Sequence, residues 1–289
     1  MVDTLHIWRP VKVEKFDLSN VEDLTESVKP LTGETYFTGR LNNLRLSISD
    51  RGVSIKGSFP KFLKGNNIET LTAKEFQTVI EALQNVFNVS LSDAIINRID
   101  LAATLQMEFA PAAYYQYLGN CERMFRSIHG GTLYYCLKRR QFVFYDKGKE
   151  IGKEFKGQNL LRFEVQYLKR IAAQFNGLKL RVEHLMNPDF YDSLKDKWKA
   201  EFKKIHKVEP FIKNPENVST PKDFWNEFER ENIKEKGFDK VEKEIMRFKH
   251  MGMNPRSISR LRKQLRDKTT GNSPGNSLIN ELESKVFSY

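Results

Sequence analysis

Two carboxylates sit inside segments that otherwise read as apolar strands. Asp100 lies in Ile95-Ile96-Asn97-Arg98-Ile99-Asp100-Leu101-Ala102, and Glu164 in Leu161-Arg162-Phe163-Glu164-Val165. Burying a carboxylate in a strand is costly unless a cation or a metal compensates it. In each segment an arginine stands two residues earlier, on the same strand face by the period of two. On the residues alone the ion-pair reading comes first. The sharper reading brings Asp100 and Glu164 together on neighbouring strands as oxygen ligands for Mg²⁺ or Mn²⁺, hard ions suited to phosphoryl transfer.

Other chemistries find little support. The chain has neither a P-loop nor a Rossmann glycine pattern, which argues against ATP-driven or NAD-dependent work. Its five histidines (His6, His129, His184, His206 and His250) are scattered, without the spacing of a zinc site, and no GxSxG elbow is present. Cys121 and Cys136 are too few for a zinc cluster or a disulfide framework and read as buried thiols in a reducing cytoplasm.

The elements that must position these carboxylates follow from periodicity. Thr4 to Trp8 is a first strand, and Leu44 to Ser49 turns through Asp50-Arg51-Gly52 into Val53 to Gly57 as a hairpin. Thr70 or Thr72 caps a helix running to about Phe87, with Phe76, Val79, Ile80, Leu83, Val86 and Phe87 on one face. Ile95 to Leu105 is a strand, and Pro111 to Leu118 a helix carrying Tyr114, Tyr115 and Tyr117. Thr132 to Leu137 and Gln141 to Tyr145 form a second hairpin, and Leu160 to Leu168 a last strand. This order predicts an α+β fold over residues 1–189, with helices on one face of the sheet.

After Asp189 the texture becomes charged and helical, predicting an accessory domain over residues 190–289. Its helices are expected at Tyr191 to Ile205, Lys222 to Lys236, Lys240 to Met251, Ser257 to Leu265 and Ser277 to Phe287, with a flexible polar turn over Thr269 to Asn276. The 289 residues carry a formal charge of +11, and Val241 to Thr270, with nine Lys and Arg against three acids, hold +6 of it. Within that stretch Arg256, Arg260, Lys263 and Arg266 recur at helical spacing and can meet phosphates from one face, although a solvated helix face would look the same. No apolar run approaches the roughly 18 residues of a membrane span, and no signal peptide opens the chain. The expectation is a protein of the cytoplasm with a polyanionic partner.

Four segments in order carry a resemblance. They are Lys56-Gly57-Ser58-Phe59-Pro60-Lys61-Phe62-Leu63-Lys64-Gly65-Asn66-Asn67, the Asn97 to Ala102 strand, Phe144-Tyr145-Asp146-Lys147-Gly148-Lys149-Glu150, and Leu161 to Val165. Together with the opening Met1-Val2-Asp3-Thr4-Leu5, the set resembles the gene II-type replication-initiation proteins of filamentous phages and the related initiators of rolling-circle plasmids, over about residues 1–180.

The resemblance implies a mainly antiparallel sheet built from two similar halves with helices packed outside. It implies a metal-dependent enzyme of the bacterial host cytoplasm that nicks one strand of a duplex origin through a tyrosine and later rejoins the displaced single strand. Host helicase and polymerase would follow. Asp100 matches the aspartate of the family's RID motif and Glu164 the glutamate of its RFE motif. Asp146, Lys147 and Glu150 match the YDKxxE pattern, with Lys147 placed to stabilise transition-state charge. Asn66 stands where the phage members carry a histidine, which shifts weight toward carboxylate ligands. For the nucleophile, Tyr167 comes ahead of Tyr191, and Tyr145, although inside the motif, reads as structural. In a continuing strand Tyr167 faces away from Glu164, whereas a helix starting near Gln166 would swing it inward. The rival from another class is a DNA-binding origin or regulatory protein that keeps the sheet without the chemistry.

Overall fold

The computed structural model describes residues 1–12, 17–152, 155, 157–208, 218–269 and 278–289. Strand β1 (Val2–Arg9) buries Leu5 and Ile7 on one face and turns His6 and Trp8 to the other. It is followed by β2 (Glu22–Val28), β3 (Thr35–Leu41), β4 (Leu44–Ser49) and β5 (Gly52–Ser58). The β4–β5 turn needs its glycine: Gly52 has φ +148°, and a Cβ there would lie 2.2 Å from the Arg9 carbonyl oxygen. Strands β2 and β3 were not read from the sequence: β2 (EDLTESV) is polar and exposed along nearly its whole length, and β3 (TYFTGRL) is half-buried over most of its length, without alternation.

Helices α1 (Phe59–Lys64) and α2 (Ala73–Phe87) close this half. Thr72, rather than Thr70, caps α2: its hydroxyl accepts from the Glu75 N–H while Glu75 accepts from the Thr72 N–H, a reciprocal box. Phe76, Val79, Ile80, Leu83 and Phe87 of the face the spacing predicts are buried, and Val86 at its edge is half-buried.

The second half repeats the plan. Strand β6 (Ile95–Gln106) leads through the expected helix, of 3-10 type (Pro111–Tyr117), into β7 (Leu118–Cys121), β8 (Phe125–His129), β9 (Thr132–Leu137) and β10 (Arg140–Asp146). Helix α3 (Lys147–Ile151) and strand β11 (Leu160–Tyr167) follow. The ten-stranded sheet has the order β2-β3-β4-β5-β1-β6-β11-β10-β9-β8, antiparallel throughout. Each half opens with a central strand, β1 or β6, and its last strand, β5 or β11, returns to pair with it. The fold is therefore α+β, with a mainly antiparallel sheet built from two similar halves.

One sheet face is the core. Phe144 stacks on Phe163 at 4.3 Å between centroids, and Phe163 meets Trp198 at 4.9 Å. Trp198 comes from α6 (Pro188–Lys203), which follows the short helices α4 (Ile171–Gln174) and α5 (Val182–Met186). Tyr114, Tyr115 and Tyr117 are also core residues.

The chain divides into two compact units, residues 1–206 with 285–289, and residues 207–284. Helix α6, placed by the sequence texture in the helical half, thus belongs to the first unit, because Tyr191, Leu194, Trp198 and Phe202 are buried there. Strand β12 (Ile205–Lys207) pairs with β7. The second unit holds α7 (Pro221–Lys236), α8 (Phe238–His250), α9 (Pro255–Thr269) and the start of α10 (Leu278–Ser288). From residue 270 on, the expected polar turn lies outside the described residues, as does Ser277, the expected start of the last helix.

Candidate active site

The face opposite the core is polar. Register places Asp100 of β6 opposite Gln166 of β11, Ala102 opposite Glu164, and Thr104 opposite Arg162. Asp100 and Glu164 are thus diagonal neighbours on adjacent strands, on one face. The arginines two residues earlier make the ion pairs that the period of two predicts. Arg98 grips Asp100 with two hydrogen bonds, Nε to Oδ1 at 2.9 Å and Nη2 to Oδ2 at 2.7 Å. Arg162 Nε meets Glu164 Oε1 at 3.2 Å.

Arg162 is fully buried and acts as a brace. Its Nη2 donates to Asp3 Oδ2 at 2.6 Å, and its Nη1 to the Asn67 carbonyl at 2.7 Å and to Thr104 Oγ1 at 3.0 Å. Burial works against its charge, but Asp3 and Glu164 overcome that and hold the guanidinium firmly protonated. Asp3 is itself buried, and Oδ1 accepts from the Ser58 hydroxyl at 2.6 Å. Asp3 and Asn67 were not singled out from the sequence. Asp3 carried the same signal as Asp100, a carboxylate in an apolar strand, and could have been found by it.

Glu164 has both oxygens occupied. Tyr145 on β10 donates its hydroxyl to Oε1 at 2.8 Å, and Gln166 donates to Oε2 at 2.8 Å. Burial, then the Glu164 charge, pushes the Tyr145 phenol far above its ordinary value. Asp100 carries the other large perturbation. Burial raises its carboxyl to about 7; Arg98 opposes the rise, while Glu164 and Asp3 add to it. A carboxylate so poorly compensated is one that a further cation would stabilise.

The other expected residues fall as follows. Asp146 caps α3, its side chain accepting from the Lys149 N–H. Lys147 is fully buried; its Nζ donates to Asn67 Oδ1 at 2.8 Å, pairs with Glu150 and lies over the Tyr145 ring. Asn66 takes the Ile68 N–H in a local turn, so it is Asn67 that reaches the cluster. Strand β11 continues through Tyr167, and no helix starts at Gln166. Tyr167 therefore points into the core, where its hydroxyl donates to Glu201 at 3.3 Å. Tyr191 is buried under the same face and donates to the Leu71 carbonyl at 2.8 Å. Burial drives both phenols well above the ordinary range. Neither expected nucleophile lies on the face that carries Asp100 and Glu164. In the second unit Arg256, Arg260, Lys263 and Arg266 are exposed along α9, while Ile258 and Leu265 are buried.

Among the described residues no three His, Cys, Asp or Glu side chains gather as a closed metal shell. Asp100 and Glu164 are two carboxylates, a donor set that could hold a cation only as an open site, and each of their oxygens already accepts from a protein donor. Mg²⁺ is commonly held by one or two carboxylates, with waters and substrate phosphate completing its octahedron.

Residues 1–204 match the family model for the N-terminal part of the gene II-type replication-associated protein. The chain belongs to this family. The match spans the whole carboxylate cluster and α6, and stops before α7. The chain is also similar to a rolling circle replication initiator protein from Geobacillus stearothermophilus, at 14% identity over 71% of this chain and 84% of that one, with a TM-score of 0.39. No curated protein matches the chain in sequence.

Proposed function

We propose that this member of the gene II-type family is a rolling-circle replication initiator that cuts and rejoins one DNA strand by transfer to a tyrosine, with Mg²⁺ or Mn²⁺ held by Asp100 and Glu164. The observation that carries the reading is the arrangement on one sheet face: two carboxylates on adjacent strands, with the Tyr145 hydroxyl donating to one of them. A divalent cation at the two carboxylates would polarise the scissile phosphate and favour departure of the 3′ oxygen.

The chain's own groups supply the rest. A phenol is a weak nucleophile until its proton is taken, and a hydrogen-bonded base is the standard device for taking it. Glu164 Oε1 is in place to receive the Tyr145 proton. The phenolate oxygen would attack phosphorus, the bond to the 3′ oxygen would break, and the freed 3′ oxygen would take a proton from water. The new phosphotyrosine ester keeps the energy of the broken one, so a second transfer can reseal the strand without ATP. Asn67 and Glu150 hold the buried Lys147 ammonium beside the Tyr145 ring, where its positive charge would favour a phosphate joined to that tyrosine.

The test uses the full chain, Mg²⁺ or Mn²⁺, and an origin oligonucleotide labelled downstream of the cut. Tyr145→Phe should abolish the covalent adduct while DNA binding persists. Adduct on a peptide containing Tyr167 or Tyr191 would move the role to a residue that must first leave the core. A second reading, DNA binding without chemistry, is favoured by the protein donors that engage each oxygen of both carboxylates. Nicking that vanishes in Asp100→Asn and Glu164→Gln would exclude it.

A further inference from the structure

Beyond the carboxylates, the polar face carries a row of Lys, Arg and His side chains that the sequence spacing does not reveal. Register places Arg40 of β3 opposite Arg45 of β4, Arg45 opposite Lys56 of β5, Lys56 opposite His6 of β1, and His6 opposite Arg98 of β6. Five neighbouring strands thus contribute one side chain each to a single row; four are permanent cations, whereas burial, Lys56 and Arg98 lower the His6 pKa and favour its neutral ring. At about 4.8 Å per strand the row is roughly 19 Å long. Among the described residues acids meet it near its ends: Glu22 of β2 lies opposite Arg40 and Asp23 is 4.0 Å from it, and Asp100 is bonded to Arg98. Among the described residues Arg45 and Lys56 make no ion pair, and both are exposed.

Like charges directly opposite on a sheet destabilise it. A row of them along one face therefore makes sense with a polyanion lying across it. The adjacent row is uncharged: Thr38, Ser47, Ser54 and Trp8 face one another across the same strands, and Ser54 is bonded to the His6 ring at 2.7 Å. A half-exposed tryptophan beside a phosphate track suits an unpaired base, because stacking needs a base face that a duplex keeps covered. The inner end of the row, Arg98, holds Asp100 itself.

We propose that Arg40, Arg45, Lys56, His6 and Arg98 form a track for the backbone of single-stranded DNA, leading it across the first half of the sheet to the carboxylates. The use of the track in strand transfer rests on the function proposed above; the track itself does not. The full chain and its Arg45→Gln, Lys56→Gln double variant are titrated with a fluorescent mixed-sequence single-stranded oligonucleotide, in chelator, at several salt concentrations. Each phosphate no longer neutralised should lower the salt slope by about 0.7, so the double variant should drop by about 1.4 and bind about 25-fold more weakly at 0.1 M salt. Its melting temperature should hold or rise, since opposed like charges are removed. An unchanged slope overturns the track, and so does a slope change on a hairpin duplex without one on the single strand. Cleavage is scored separately on the wild-type chain. A fallen slope with no nicking keeps the track and sinks the transferase reading; nicking with an unmoved slope does the reverse.

Discussion

A carboxyl held at about 7 by burial makes Asp100 a pH-dependent weakness in the fold. Its folded value lies above the ordinary 3.8, so between about pH 4 and pH 7 the native state binds the proton more tightly than the unfolded chain. Stability from this group is complete below about pH 4 and is lost as pH rises through about 7. Asp100→Asn should flatten that slope, leaving the variant more stable than wild type at pH 8 by an amount on the order of 2 kcal/mol. Urea unfolding at pH 5 and pH 8 checks it, and equal slopes for both proteins would refute it. Arg162 is the opposite case. Arg162→Ala would leave Asp3 and Glu164 buried without their shared cation, and should cost about 3–5 kcal/mol. Chemical denaturation that shows a loss below about 1 kcal/mol would mean that Asn67, Ser58 and Tyr145 suffice to hold the two carboxylates. The carboxylates themselves were legible from the sequence because a charge inside an apolar strand demands a partner. Asn67 was not, since its place depends on a loop that register alone brings over the sheet.

Periodicity worked for elements that bury one face. Helix α2 and the β4–β5 hairpin were readable because one-sided burial imposes 3.6-residue or two-residue spacing. Strand β2 escaped because an exposed edge strand has no buried side to impose a pattern. The direction of Tyr167 shows the same dependence. It turned on whether β11 ran one residue beyond Gln166, and pairing of Tyr167 with Ile99 and Arg140 settles that it does. The α2 start gives an element-scale prediction. Thr72→Ala removes one half of the capping box and should cost about 1 kcal/mol, whereas Thr70→Ala, at a position outside the cap, should cost less. Thermal melts of the two variants decide it; the reverse order would place the helix start wrongly.

At the scale of the molecule, two basic surfaces among the described residues have different surroundings: the row on the sheet of the first unit, and α9 of the second. On α9, Ile258 and Leu265 are buried, and Arg262 is committed to Glu242 by two bonds at 3.0 and 2.7 Å. Arg256, Arg260 and Lys263 are exposed on the remaining surface, and the Arg256 N–H already donates to the Asn254 side chain at the helix start. A convex helix with cations on its outer side suits the phosphates of a duplex, whereas the flat row beside Trp8 suits an opened strand. The two surfaces should therefore be separable by substrate. Changing Arg256, Arg260 and Lys263 to Gln should weaken duplex origin binding and lower its salt slope by about 0.9 for each phosphate left without its cation. The same variant should bind and cut a single-stranded oligonucleotide as wild type does, because the sheet row and the carboxylates are untouched. Filter binding on both substrates over a salt series makes the comparison. Equal weakening on single strand and duplex would mean that α9 contributes to net charge alone, and an unchanged duplex slope would remove it from the DNA-binding surface.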